Sequence, residues 1–475
     1  MIDNISNIKE IISNTTEQEV SFLINETEAS NSELKELFKC TEEKLSSGVY
    51  IVTRNNTLNS VKVKLTVTKN ADIEFKVVVE AGQEVDLWAY EETDMPNYTG
   101  HWFWEIIGKS GKIDWGDGNV TSISSRDKEL FKHTYNKAGS YSINIFNLNF
   151  SGSGLLAPIS EGSDVLEEKP CRYSDKFHAK FMFFYSTGNN ANNYNYLTRS
   201  GLDAIEEIIF NTPQIIYSAV CTFVGLKNCK KISGTIKLSE NRYGMTPHGN
   251  TPGLEPVEHM ECSSTFMFCP ALKDLSELKF IWSNAKDPVR FRYTFAKCTN
   301  LPYEGIMGFD ILNLSNEQKV CYQHTFRSCE SLTKIPRFFI SSFAKRHHSC
   351  FENAGIRFLP PGILDNSVDE DRTFNSCPLK SVSKNLKLDK LKSPGELMFG
   401  NTELDYEGVK NIYNALPTYS GDLSKNLVLG IKCTEDDKNK IRTLLNISDS
   451  NLPTSNASTS NDKGWPIVFT IKSLD

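Results

Sequence analysis

Two carboxylates, Asp114 and Asp117, sit in the run Ile113-Asp114-Trp115-Gly116-Asp117-Gly118. A hard cation such as Ca²⁺ takes about six to eight oxygen ligands, so this pair would be only part of a metal site. The same residue types cap backbone N–H groups in tight turns, and turn capping is the preferred reading. His347-His348-Ser349-Cys350 offers imidazole and thiol ligands, but it reads better as a loop leading into the next element. Twelve cysteines are present with no Cys-x-x-Cys pair, which leaves a zinc knuckle without support. Gly152-Ser153-Gly154-Leu155-Leu156-Ala157 matches a dinucleotide-binding pattern, yet Pro158 follows at once and no amphipathic helix begins there to receive a pyrophosphate. The Asn/Tyr-rich stretch 186–196 sets the amides of Asn192 and Asn193 beside the rings of Tyr194 and Tyr196, which suits sugar or protein contacts and is equally the composition of an ordinary long loop. No GxSxG, HExxH or P-loop pattern occurs. Two acids of a glycoside hydrolase need not be near in sequence, but no catalytic constellation emerges. The expectation is a protein that is not an enzyme and has no cofactor and no resident metal.

Composition sets the frame for these residues. The chain has 475 residues with 52 basic and 59 acidic side chains, a net charge of −7 without long runs of one sign. A nucleic-acid or anionic-membrane surface would need clustered Lys and Arg, so neither partner is expected. With 39% hydrophobic and 23% charged residues the composition is that of a folded protein of several domains. No stretch reaches the length of a membrane span, so membrane insertion is not expected. The first twenty residues have neither a basic region nor an apolar core, and this is read as the lack of a secretory signal.

The elements change along the chain. Ile5, Ile8 and Ile12, and later Leu34, Leu37, Phe38 and Leu45, recur at helical spacing. Residues 1–48 therefore read as a helical arm whose narrow apolar stripes need a partner surface. At Val49 the period becomes 2. Val61, Val63, Leu65 and Val67 alternate with polar residues, as do Ile73, Phe75, Val77 and Val79, and both runs read as half-buried strands.

Further along, the Asp-Trp-Gly-Asp-Gly turn is followed by His133-Thr134-Tyr135 and then by Ala138-Gly139-Ser140-Tyr141-Ser142-Ile143-Asn144-Ile145. These three motifs in this order resemble the PKD domain, which implies an immunoglobulin-like β-sandwich over residues 49–150. The family usually serves as a spacer or a carbohydrate-adjacent module. Residues 151–219 read as a connecting or first-capping segment.

The second half repeats. Thr265-Phe266 leads to Cys269 and Leu272, Thr294-Phe295 to Cys298 and Leu301, and Thr325-Phe326 to Cys329 and Leu332. Cys350-Phe351, Thr373-Phe374 with Cys377, and Met398-Phe399 are further copies, and Thr222-Phe223 is an earlier variant. From Phe266 onward the phenylalanines are 29, 31, 25, 23 and 25 residues apart. A fixed core with variable loops is what a stacked-coil solenoid needs. The motif T-F-x-x-C-x-x-L resembles the BspA-type leucine-rich repeat, which implies a solenoid over residues 220–402. Nine of the twelve cysteines lie between Cys221 and Cys377, and they read as reduced, buried thiols acting as small hydrophobes.

After Phe399, residues 403–475 carry an amphipathic run through Tyr406, Val409, Ile412, Tyr413 and Leu416, a strand at Leu427–Ile431, a second helical run and a last strand after Lys463-Gly464-Trp465. This reads as a small α+β C-terminal cap. The expected fold is thus multidomain and mainly β: an Ig-like sandwich and a leucine-rich-repeat solenoid, with a helical arm before and a cap after. Such an order resembles bacteriophage appendage proteins, whether tail fibre or head fibre, and bacterial surface adhesins. It implies a virion protein assembled in the host cytoplasm. The arm would meet other virion proteins, and the solenoid would meet a host surface glycan or protein. The alternative is an exported adhesin on the bacterial surface. A homo-oligomer is compatible with either, although no sustained heptad is present.

Overall fold

Alternating and β-branched runs outnumber helical ones, and the chain is mainly β, with few helices and several sheets, none of them closed. The computed structural model describes the chain outside residues 1–4, 16–18, 26–28, 43–44, 46–47, 54–59, 69–70, 88–103, 108–109, 126, 151–183, 186–194, 197–201, 217–221, 224, 239–259, 262–264, 283–288, 292, 313–319, 337–346, 368–369, 393–396, 420–425, 456–460 and 475. It falls into two units, residues 1–72 and 73–475.

The first unit holds a helix at Ile5–Asn14, β1 (Glu19–Asn25), a helix at Ser32–Leu37, β2 (Gly48–Thr53) and β3 (Ser60–Thr68). The sheet order is β1-β3-β2, with β1 parallel and β2 antiparallel to β3. Asn31 caps the second helix, its Oδ1 accepting from the Glu33 N–H at 2.9 Å. Ile8 and Ile12 of the first helix and Leu34 of the second bury against Phe22, Ile24, Val52, Val61, Val63 and Leu65. Two expectations differ here. The arm of residues 1–48 contains a strand, because Val20, Phe22 and Ile24 alternate within a polar setting. In addition, β3 pairs with β1 and β2 with β3, which makes these strands one sheet of the first unit. Alternation identifies a strand and its inward face but not its partner.

The second unit opens with an antiparallel set: β4 (Ile73–Val79), β5 (Glu84–Asp86), β6 (Trp104–Ile106), β7 (Gly111–Asp114), β8 (Val120–Ile123), β9 (Lys132–Thr134), β10 (Gly139–Phe146) and β11 (Leu148–Phe150). Phe75, Val77, Ile113, Trp115, Tyr135, Ile143 and Ile145 bury inside it. A short pair, β12 (Phe184–Tyr185) and β13 (Asn195–Tyr196), follows.

Then β14 (Ile205–Ile216) pairs antiparallel with β4 on one side and parallel with β15 (Lys231–Leu238) on the other. Counting β16 (Met260–Glu261), β17 (Leu278–Trp282), β18 (Val289–Arg290) and β19 (Asp310–Leu312) in chain order, one eight-stranded sheet runs β19-β17-β15-β14-β4-β10-β7-β8. It changes from antiparallel to parallel at the β4–β14 seam. The bulge in β14 after Phe210 lies beside Gly234, which has φ +101° and no room for a Cβ against the Phe210 carbonyl. Asn149 ties β11 to β14 like an extra strand residue: its Nδ2 donates to the Ile215 carbonyl at 2.7 Å and its Oδ1 accepts from the Ile215 N–H at 2.9 Å.

Parallel pairs continue outward. β16, β18 and β20 (Val320–Cys321) form one set, and β21 (Phe358–Leu359) pairs with β22 (Ser381–Val382). The last sheet is β23 (Phe399–Leu404), β24 (Leu427–Ile431) and β25 (Ile467–Ile471), all parallel, with helices Tyr406–Ala415 and Glu435–Leu444 as the crossovers. The expected boundary at 402/403 falls inside β23, so the C-terminal segment grows directly from the last repeat. Phe469 donates its N–H to the Pro453 carbonyl at 2.8 Å, which lays the preceding loop along β25.

Candidate functional site

The repeated turn is the largest built feature, and its parts recur at one offset from each phenylalanine. The N–H of Phe223, Phe266, Phe295, Phe326, Phe351 and Phe374 donates to the carbonyl just before the next repeat's phenylalanine, at 2.8–2.9 Å. Two residues later a second N–H donates across the same step at 2.8–3.0 Å, from Gly225 through Ser376. The backbone reaches this geometry by turning left-handed on both sides of the ring. Phe268, Lys297, Ser328, Asn353, Ser376 and Asn401 follow by two, and Tyr293, His324, Ser349, Arg372 and Leu397 precede by two, all with φ between 48° and 60°.

The rings therefore stack. Phe223, Phe266, Phe295, Phe326, Phe351, Phe374 and Phe399 lie face to face with centroids 5.2–5.7 Å apart and planes within 9°. Every repeat residue singled out in the sequence is buried: these seven rings, Cys269, Cys298, Cys329 and Cys377, and Leu272, Leu301 and Leu332. The thiols do more than fill space. Sγ of Cys269, Cys298, Cys329 and Cys377 donates to the carbonyl of the preceding repeat's phenylalanine (Phe223, Phe266, Phe295 and Phe351) at 2.9–3.0 Å. Where Thr402 replaces Cys, its hydroxyl lies 2.8 Å from both the Phe399 and Gly430 carbonyls. Burial pushes the Cys269 thiol up to about 12 and the Cys298 thiol well above its usual value. These sulfurs stay protonated and are poor nucleophiles. Cys229, Cys269, Cys298, Cys329, Cys350, Cys377 and Cys433 are free thiols.

A second column stands four residues before each phenylalanine. Phe291 stacks on Tyr322 at 5.6 Å and Tyr322 on His347 at 6.1 Å. The next member is Glu370, whose Oε1 lies 2.7 Å from His347 Nδ1, both side chains being 0% exposed. Thr373 Oγ1 donates to Glu370 Oε2 at 2.7 Å and the His347 N–H to the same oxygen at 3.1 Å. Burial opposes ionisation of Glu370, but His347 and these donors outweigh it and hold the carboxyl below its usual range. Ser367 Oγ completes the cluster, 3.3 Å from His347 Nδ1. Hydroxyl and carboxylate thus face one nitrogen. A serine–histidine–acid relay needs them on opposite nitrogens, so this is a structural network. The sequence does not announce this network, because its partners are 23 residues apart.

The Asp-Trp-Gly-Asp-Gly turn is also fully engaged. Asp114 Oδ1 accepts from the Gly116 N–H at 3.0 Å. Asp117 Oδ1 accepts from the Asn119 N–H at 3.0 Å, and its Oδ2 meets Asn119 Nδ2 at 3.0 Å and His133 Nε2 at 2.8 Å. His133 stacks on Trp115 at 5.0 Å, and the Tyr135 hydroxyl donates to the Trp115 carbonyl at 2.8 Å. Gly116 has φ +79°, and a Cβ there would meet the Ser142 carbonyl. Both aspartates act as turn caps in this geometry. Of the Asn/Tyr candidates, Asn192, Asn193 and Tyr194 lie outside the described residues. Tyr196 is placed only as a residue of β13, opposite Phe184.

Beside the ring stack runs a polar row. Arg327 Nε lies 3.0 Å from Glu352 Oε2, Asn375 Nδ2 is 3.4 Å from Glu352 Oε1, and Asn401 Nδ2 is 3.3 Å from Asn375 Oδ1. Lys297 sits over the Phe268 ring at 4.8 Å, and Tyr293 stacks on His324 at 4.4 Å. Glu352, Asn375, His324 and Phe268 are themselves buried, so this row ties successive repeats to one another. No protein-family model, no curated protein and no solved structure matches this chain.

Proposed function

We propose that this chain is a non-enzymatic binding and display protein of a bacteriophage particle. In this reading the N-terminal segment attaches to other virion proteins. The antiparallel part from β4 to β11 is a PKD-like, immunoglobulin-type sandwich. The repeats form a BspA-type leucine-rich solenoid that meets a host surface glycan or protein. The observation that carries the reading is the unbroken stack of seven phenylalanine rings, because identical inward residues free the outward positions of each coil to vary with a ligand. Weak contacts repeated along such a face, and across several copies on one particle, sum to useful avidity.

Quantifying the chain by peptide mass spectrometry tests this reading in purified particles and in the cell-envelope fraction of the source culture. Enrichment in intact particles at a fixed copy number is expected, and deletion of the N-terminal segment should abolish incorporation. Presence in the envelope with absence from particles would overturn the virion assignment in favour of an exported adhesin.

A further inference from the structure

The strand β2 is an edge that natural sheets rarely leave in this form. Its sequence, Gly-Val-Tyr-Ile-Val-Thr, has no charge and no proline. Edge strands are normally blunted by charge, proline or a bulge, since their open hydrogen-bonding groups otherwise invite another strand. Here Val49 and Ile51 point outward, 56% and 65% exposed, while Val52 is buried. Among the described residues no strand pairs with the outer edge of β2.

The neighbouring rows show what this edge fits. Directly opposed residues share a face, so Ile51 lies beside Lys62, and Lys62 lies beside Glu19 on β1. Lys62 and Glu19 pair at 3.0 Å. Val49 lies beside Lys64, which lies beside Ser21. Each row reads polar, polar, apolar toward the edge. Joining two copies about a two-fold axis gives an apolar centre of four β-branched side chains, rimmed on both sides by lysine and then by Glu19 or Ser21. That is the layout of a specific interface. Such an axis pairs outward residues only with outward residues. Centred on Tyr50 it sets Val49 of one copy opposite Ile51 of the other. Centred on Val49 or on Ile51 it would set one of them against its own copy and leave the other opposite a residue outside the strand or opposite Thr53.

We propose that β2 pairs antiparallel with β2 of a second copy, centred on Tyr50, so that two three-stranded sheets become one of six. This dimer does not depend on where the protein acts or on what its repeats bind.

The test uses the full-length chain and light scattering after size-exclusion chromatography at micromolar concentration. The wild type should elute as a dimer. Val49→Lys and Ile51→Glu, made separately, should each weaken dimerisation by more than about tenfold, since each sets a charge against an apolar partner. Mixing the two variants should restore the dimer, because the introduced ammonium then faces the introduced carboxylate while the other contact stays apolar. If either variant melts early, Val49→Thr and Ile51→Thr keep strand propensity and should weaken the dimer several-fold. A monomeric wild type, single variants that dimerise as the wild type does, or a mixture that stays monomeric would each overturn the proposal.

Discussion

The antiparallel part, from β4 to β11, and the stacked repeats from Phe223 to Phe399 share one sheet but are held in different ways. In the first, order rests on contacts made once: Tyr135 on the Trp115 carbonyl, and Asp117 between Asn119 and His133. In the second, one turn is copied, and each copy touches its neighbours through a ring and two backbone hydrogen bonds, joined at four steps by a thiol. A unique contact has no substitute, so its loss is local and specific. A copied contact is one link, and its loss divides the stack. Joining the two at β4–β14 gives the parallel sheet a ready-made first neighbour. The antiparallel part therefore closes one end of the repeats.

The comparison breaks most sharply within the repeats. Phe326→Ala removes a fully buried ring from the middle of the stack and should destabilise the second unit by about 3–5 kcal/mol. Glu370→Ala should cost about as much, because it strands His347 in an interior with no exposure. Urea unfolding followed by circular dichroism measures both. An unchanged midpoint for Phe326→Ala would mean that the rings are not a continuous stack. In the antiparallel part, Tyr135→Phe deletes only the donor to the Trp115 carbonyl and should cost roughly 1–3 kcal/mol.

Acid separates the regions further. Burial raises the Asp117 pKa, but the His133 and Asn119 hydrogen bonds outweigh it, and the net direction is downward from 3.8. A carboxyl with a depressed folded pKa contributes stability above its unfolded value and loses it as pH falls through the folded one. Asp117→Asn should therefore be less stable than the wild type by about 1 kcal/mol at neutral pH. That gap should close below about pH 4. Denaturation midpoints at several pH values check this, and a gap that stays constant into acid would remove Asp117 from the ionised network.

Legibility followed the same division. Copied features could be read because repetition averages out chance: Phe, Cys and Leu at fixed offsets named the stacked column residue by residue. Features made once were legible only where the contact is local, as in the Asp114 and Asp117 caps, whose partners lie two residues away. Long-range pairing was not. Nothing in Ile73–Val79 announces a partner at Ile205–Phe210, more than a hundred residues on, and nothing in Ser60–Thr68 announces Glu19–Asn25. The strand at Glu19–Asn25 is hidden because its short alternation sits between helical stripes. The His347 contact is hidden because the position is aromatic in two earlier copies and gains a carboxylate partner only where Glu370 follows it in the column.

The smallest expected effect tests the backbone of the repeat apart from its side chains. Ser328 follows Phe326 by two and has φ 58°, the left-handed region that costs an L-residue about 1–2 kcal/mol. A β-branched side chain suffers most there, so Ser328→Val should lower stability by about 1 kcal/mol beyond the effect of Ser328→Ala. Ser328→Gly relieves the steric cost but gains freedom in the unfolded chain, worth roughly 0.5–1 kcal/mol, so its net effect should be near zero. The side chain is partly exposed, which keeps packing out of the comparison. The order Gly above Ala above Val in urea midpoints would tie the stacking of the rings to the left-handed turns that flank them. Equal midpoints for all three would mean that the turn relaxes freely and that the rings and thiols alone set the geometry of the stack.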